Sequence, residues 1–370
     1  MNIFRYESSK IWSKRIVLIG LALLFAWFVF YFYVSNKDYE CVDNGVVYHG
    51  TTAVAKNKEI VKQFEGPMTM EKAKKIVDLY GFSVYEDPTE TGYYRGGNYC
   101  SQWVTDYLTP YTETYSYDAD ELAFYSGDQS EKLEEYTSGD LNFTYLDGWK
   151  ALMMCLNMMI LLLDFIIVIA VANVFTEEYT LKTAPILLTT EHGKARGIWA
   201  KVLAAISFSV IAYLLVVGIV LVSFCCFYGT DGLSGSAALM GRLAPEIAGI
   251  FGTSVGAVLA ETLLTGLISV IMSTCITLAV SAACKQPFTS ILAGLGMFIL
   301  PYIYVNYIAP LLPSVGIVKL LELFAKWCPL YLPIRIVGPK FLPALIFVLV
   351  VSISTALLGY HQYKNYEETS

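Results

Sequence analysis

Six stretches of this chain run apolar for about twenty residues each, at roughly 16–34, 151–174, 202–227, 254–282, 288–308 and 341–359. A helix rises 1.5 Å per residue, so runs of this length match the hydrocarbon thickness of a bilayer. A soluble chain of 370 residues can bury a large core, but it does not concentrate its apolar residues in uninterrupted blocks. A composition of 56% hydrophobic and 15% charged residues agrees with the runs. The expected fold is an all-α polytopic membrane protein with six transmembrane helices.

The first run, 16–34, is longer than a signal-peptide core and lacks a small-residue cleavage site, so it is expected to be retained. Trp27, Tyr31 and Tyr33 toward its far end fit an interfacial aromatic belt. Arg5, Lys10, Lys14 and Arg15 precede the run, whereas Lys37 follows it among Asp38, Glu40 and Asp43. The positive-inside rule then places the amino terminus in the cytoplasm, and six spans return the tail 361–370 to the same side. Lys319, Lys326, Arg335 and Lys340 run against this topology, which puts their loop outside.

Residues 35–148 are a different material. They carry nine Lys/Arg against twenty-one Asp/Glu, a net of −12 in a chain whose total is −7, and they are rich in Tyr. An insertion of this length makes a small domain, read here as an extracytoplasmic α+β domain between spans one and two. Within it, TMEKAKKIVDLYG puts Ala73, Ile76, Val77 and Tyr80 on one helical face, with Gly81 as the stop. GVVYHG reads as a short strand, and about 88–140 as turn-rich acidic sequence. DADELAF lacks the spaced ligands and central glycine of a calcium loop, since Leu122 stands where an oxygen ligand belongs. The acidity reads as a solvated surface, or as an attractor for a cationic ligand.

Of eight cysteines, Cys155, Cys225, Cys226, Cys275, Cys284 and Cys328 lie in or beside spans, where Cys acts as a small apolar residue. Cys41 and Cys100 lie in the insertion, where they either form a disulfide in an oxidising compartment or remain two separate thiols. No Cys/His spacing suggests a metal site.

Two carboxylates fall inside apolar runs. Asp164 is central in the second, and Glu261 lies toward the outer half of the fourth. A central Asp costs roughly 2.5–3.5 kcal/mol to insert, which the Leu, Ile, Val and Phe of the same run outweigh at roughly 0.3–0.6 kcal/mol each. Such a group faces protein or water rather than lipid. The two read either as a pair contacting substrate or protons, or as carboxyls bonded to neighbouring helices. Glycines at 229–236 and 247–258 predict a broken or re-entrant start to the fourth span.

Between the second and third runs stands EEYTLKTAPILLTTEHGKARGIWAK, residues 177–201, a small apolar knot bounded by charges of both signs. Such a segment forms a short amphipathic helix suited to a groove on a cytoplasmic partner. The segment resembles the coupling helix of ABC transporter permeases of the type-2 export class. Glu177 and Glu178 match the acidic pair of that pattern, Thr183 its Thr, Leu187, Leu188 and Thr189 its core, Lys194 its basic position and Lys201 its closing Lys. Lys182 stands in place of the usual Gly, Glu191 in place of the usual Pro, and Pro185 intrudes before the core.

The resemblance implies a division into a cytoplasmic amphipathic elbow at 1–15, a first span at 16–34 and the extracytoplasmic domain at 35–148. A five-span domain at 149–360 with coupling segment 177–201, and a cytoplasmic tail at 361–370, complete it. It further implies a homodimer or heterodimer of permeases in a cell membrane, expected to be a bacterial plasma membrane. An ABC ATPase subunit would dock below and carry the ATP and magnesium, with the bilayer but no nucleic acid as a further partner. This chain lacks a phosphate-binding loop: its one Gly-Lys, Gly193–Lys194, is followed by Ala195 and has no upstream Gly at the right spacing. It is therefore read as a transport subunit and not an enzyme. A proton-coupled secondary transporter using Asp164 and Glu261 predicts inverted repeats, which the two halves do not display. A membrane enzyme would need a catalytic cluster, and His49, His192 and His361 lie far apart in sequence. A sensor working through the inserted domain would not need residues 177–201 to be so built.

Overall fold

The computed structural model describes residues 3–86, 95–114, 117–190, 193–240, 252–313, 315–329 and 341–365. Six of its helices are long and apolar enough to cross a membrane: Arg15–Lys37, Asp147–Thr180, Ile198–Tyr228, Val255–Ala283, Pro287–Leu311 and Phe341–Lys364. Each overlies one of the six apolar runs, and they are called spans one to six below. By contact, the chain divides into two compact units. The first comprises Met1–Val29, Met154–Leu221 and Leu259–Ser370; the second comprises Phe30–Met153 and Val222–Val258.

In the first unit, an amphipathic helix at Ile3–Trp12 precedes span one and buries Glu7 and Ile11. Span two changes register at Ala172, where the regular helix Asp147–Val171 gives way to Asn173–Thr180. The Ala172 carbonyl there accepts hydrogen bonds from Ser290 Oγ at 2.8 Å and Thr176 Oγ1 at 3.2 Å, and hydroxyls inserted into the ladder are a known cause of such breaks. Span five contains Pro301, which lacks an N–H to donate, and the helix widens into a π turn at Tyr304–Ile308 just beyond it. Spans four and six pack through Ile268, Met272, Ala344 and Val348. Phe298 and Val305 of span five pack on Leu161 and Phe165 of span two.

Of the glycine-rich approach to span four, 229–236 forms turns followed by a short 3-10 helix at Ala237–Met240, and 241–251 lie outside the described residues. Val255–Ala283 is a continuous helix of 29 residues. Irregular backbone also follows span five. A helix at Gly316–Lys326 packs on the π turn, where Tyr304 Oη donates to Val318 O at 3.3 Å. The chain beyond that helix brings the carbonyl of Pro329 within 2.8 Å of Ser269 Oγ. Ser269 lies midway along span four, so this segment returns to the middle of the membrane-spanning layer. Two of the cations that ran against the topology, Lys319 and Lys326, sit on this helix, and Lys326 pairs with Glu322 at 2.5 Å. Arg335 and Lys340 lie outside the described residues.

The second unit holds two antiparallel two-stranded sheets, β1 (Glu40–Asp43) with β2 (Val46–His49), and β3 (Gly66–Thr69) with β4 (Ser138–Phe143). Asn44 and Gly45 both take positive φ in the two-residue β1–β2 turn, as such hairpins require. The expected helix is present at Met70–Tyr80, with Thr69 capping its start, Gly81 at its end, and Ala73 and Ile76 buried. A further helix, Tyr99–Leu108, occupies part of the region read as turns, closed by an Asn98–Ser101 capping box. Its Trp103, Val104 and Leu108 join Phe64, Met68, Ile76, Leu141 and Phe143 in the core. Residues 229–240, expected at the head of span four, belong to this unit: Asn142 N donates to Ser236 Oγ at 2.8 Å and Tyr107 Oη to Leu239 O at 3.0 Å. Cys41 on β1 and Cys100 on the helix Tyr99–Leu108 are free thiols and fully buried. Burial pushes Cys41 up to about 12 and raises Cys100 likewise.

Candidate functional site

The described residues of 173–201 are built around one buried charge cluster. Lys201, near the start of span three, is 4% exposed and reaches Glu178 Oε1 at 2.5 Å and Glu7 Oε1 at 2.8 Å. The second oxygen of Glu178 accepts a hydrogen bond from the hydroxyl of Tyr363, in span six. Beside this cluster Lys10 pairs with Glu177 at 3.3 Å, and Lys14 Nζ donates to the Ala170 carbonyl at 3.3 Å. Burial lowers the Lys14 amine from its ordinary value, with Glu177 opposing. One lysine between two carboxylates gives the core of the cluster a net of −1, and every charge in it has a partner. Buried ions persist only when paired in this way.

From this base the chain turns sharply. The end of the helix Asn173–Thr180 closes in a Schellman arrangement, with Thr183 N donating to Glu178 O at 3.0 Å and Lys182 N to Tyr179 O at 3.1 Å. The residue that must turn left-handed is Lys182, at φ 53°. This is the position where the coupling pattern has Gly, a residue that enters that region without steric cost. Pro185 is accommodated without disruption: it sits in the first turn of a short helix, Ala184–Thr189, where its missing N–H has no partner to lose. The helix turns Ala184 and Leu188 inward at 0% and 6% exposure. Leu181, Ile186 and Leu187 face out at 63%, 66% and 38%. Thr189 and Thr190 fold their hydroxyls back onto the carbonyls of Ile186 and Leu187 at 2.8 and 2.7 Å. The chain then doubles back so tightly that a Cβ on Gly193 would stand 1.7 Å from the Leu187 carbonyl oxygen. Only glycine fits there. Glu191 and the side chain of Lys194 lie outside the described residues.

The residues picked out from the sequence therefore separate into two groups. Glu178 and Lys201 meet in the buried cluster, Glu177 flanks it and Thr183 ties back to Glu178, while Leu187 and Thr189 are exposed above it. Leu188 supports the short helix from within. Sequence reasoning missed Glu7 and Tyr363, which complete the cluster, and Ile186 and Leu181, which extend the outward apolar face. Glu7 carried a signal, as the one acid in an otherwise basic amino-terminal segment; Tyr363 carried none.

Asp164 and Glu261 are not brought together. Asp164 is 1% exposed and bonds to Ser269 Oγ at 3.0 Å. Glu261 is half-buried eight residues before Ser269 on the same helix, about 12 Å along its axis.

Comparison with known proteins decides what kind of molecule carries this arrangement. The sequence pattern of the family described as ABC-2 family transporter protein matches residues 1–325. The chain belongs to the ABC-2 transporter family. No curated protein and no solved structure matches it. ABC-2 permeases are multi-pass membrane transport subunits rather than enzymes, and they generally work with an ABC ATPase subunit. Within an ABC-2 permease, the segment between spans two and three is thus a short helix with an apolar outer face on a charged, buried foundation.

Proposed function

We propose that this chain is the permease subunit of an ATP-binding cassette exporter, moving a lipophilic, peptide or antibiotic-like substrate across a cell membrane. A separate ATPase, holding ATP and magnesium, docks on residues 177–201. Two permeases, alike or different, flank the substrate path. Both termini and the docking segment face the cytoplasm of a bacterial cell, and the acidic α+β insertion faces the other side. The observation that carries the reading is the outward pair Ile186 and Leu187 on a helix whose base is fixed by Lys201. An exposed apolar pair with charged neighbours suits a groove on a soluble partner. The foundation suits force transmission: Glu178 ends span two, Lys201 begins span three, Glu7 lies on the amino-terminal helix and Tyr363 on span six. A push on the short helix therefore reaches four elements through one ion cluster.

The test is co-purification with a candidate ABC ATPase. Ile186→Asp with Leu187→Asp is expected to abolish association while leaving the permease folded. Association at the wild-type level would overturn the docking role.

A further inference from the structure

The middle of the membrane-spanning unit holds an acid whose hydrogen bonds do not balance unless it carries a proton. Ser269 Oγ lies 3.0 Å from Asp164 Oδ2 and 2.8 Å from the carbonyl oxygen of Pro329. A serine hydroxyl has one hydrogen to donate. A carboxylate and a carbonyl both only accept, so with Asp164 ionised the serine satisfies one of them and sets lone pair against lone pair at the other. Asp164 is 1% and Ser269 0% exposed, so bulk solvent does not repair the mismatch. A proton on Oδ2 resolves it. The acid O–H then donates to Ser269 Oγ, and the Ser269 O–H donates to Pro329 O.

The surroundings supply no counter-charge among the described residues, and Arg335 and Lys340 lie outside those residues. Among the described residues no lysine, arginine or histidine pairs with Asp164, and no charged side chain of spans three to six or of segment 316–329 acts on it. The titratable neighbour that feels it is Tyr213 of span three, whose hydroxyl is committed to Leu263 O at 2.6 Å. An isolated buried carboxylate with no cation is among the most costly arrangements in a protein. Ser273, one turn beyond Ser269, sets a second hydroxyl beside Asp164, with its Oγ and Asp164 Oδ1 both buried and not closed into a well-formed hydrogen bond. A cavity of about 10 Å³ lined by Ser273, Thr277 and Pro329 adjoins Ser273, at the lower limit of the room a single water needs.

We propose that Asp164 is a proton-binding site, and that its proton latches segment 316–329 to span four through Ser269. When the proton leaves to a water beside Ser273, Ser269 turns its own hydrogen to the new carboxylate. The Pro329 carbonyl then loses its donor and the latch opens. Proton binding reverses each step. The permease would thus sense protonation at mid-span, whichever substrate it carries, and the proposal does not rest on the ATPase-docking reading.

The experiment is infrared difference spectroscopy on the full chain in lipid nanodiscs, wild type against Asp164→Asn, in H₂O and D₂O. Expected at neutral pH is a carboxylic acid C=O band that shifts in D₂O and is missing from Asp164→Asn. Absence of that band from the wild type would overturn the proposal. So would a thermal midpoint raised by sodium but not choline chloride in the absence of the band, because a metal cation would then hold the site. Hydrogen exchange across 316–329 gives the second readout. In the wild type it should accelerate about tenfold beyond its intrinsic rise as the proton is lost at high pH, the effect of one lost hydrogen bond. Asp164→Asn, whose amide donates to Ser269 as the acid does, should hold the segment protected throughout. Ser269→Ala keeps the acid but removes the relay, and should release the segment at every pH; a segment still protected in that variant would sink the latch. None of these measurements involves an ATPase or transport.

Discussion

Glu178 and Asp164 are both carboxyl groups buried within the same unit, and the chain treats them in opposite ways. Glu178 has a lysine at 2.5 Å, a tyrosine hydroxyl on its other oxygen and a second carboxylate sharing the lysine. Asp164 has two serine hydroxyls, Ser269 bonded at 3.0 Å and Ser273 beside it, and no cation among the described residues. The first site draws its neutralising charge from the polypeptide, so it stays the same whatever the solution holds. The second has no cation among the described residues, so a proton taken from outside can change it. A brace at the foot of the short helix and a switch at mid-span are what those two arrangements are each suited to be.

The sharpest way to break this comparison is to remove the brace's cation. Lys201→Ala leaves Glu7 and Glu178 buried and facing each other, and is expected to destabilise the unit by about 3–5 kcal/mol. Denaturant unfolding in detergent micelles would measure it; a cost below about 1 kcal/mol would mean that the cluster is solvated and not a brace. Tyr363→Phe removes one hydroxyl from Glu178 and should cost about 1.5–3 kcal/mol, the worth of a hydrogen bond to a charged group. Asp164→Asn is the counterpart at the other site. If the acid is already neutral, replacing it with a neutral donor of the same shape should cost less than about 1 kcal/mol. A loss as large as that of Lys201→Ala would erase the distinction between the two sites.

How much of this could be read from the chain depends on the range of the forces involved. The six spans are local facts: each is an apolar block, and each block became a helix. Helix Met70–Tyr80 was legible for the same reason, with its cap, its apolar face and its terminal glycine close together in sequence. Helix Tyr99–Leu108 was not, because it is buried almost all round. Ser101 and Thr105 are as enclosed as Trp103 and Leu108, so polar residues do not mark the solvent side and only Gln102 and Asp106 are left partly exposed. The brace was half legible. Glu178 and Lys201 stand 23 residues apart within one pattern, whereas Glu7 is 194 residues from Lys201 and Tyr363 is 185 from Glu178. Nothing local ties such partners. Irregular backbone was expected in the glycine-rich stretch before span four, of which 241–251 lie outside the described residues; the turn toward mid-span after span five, where Pro329 finds Ser269, was not expected. Glycine marks where a chain can bend; the depth of a bend is set by which buried donors wait there.

The smallest expected effect lies at the hinge between the brace and the outward helix. Lys182 holds φ 53° because the Schellman closure demands a left-handed residue there, and its two hydrogen bonds fix the direction in which Ile186 and Leu187 point. A side chain with a Cβ pays roughly 1–2 kcal/mol for that conformation. Glycine avoids the clash but surrenders part of the gain, roughly 0.4–1 kcal/mol, to its freer unfolded state. Lys182→Gly should therefore stabilise the unit by about 0.5–1 kcal/mol, and Lys182→Ala, which keeps the Cβ, should change it little. Equal stability for the glycine and alanine variants would place the strain elsewhere. If glycine stabilises as expected, the native lysine keeps the hinge under tension, and the brace at Glu178 is what holds that tension in place.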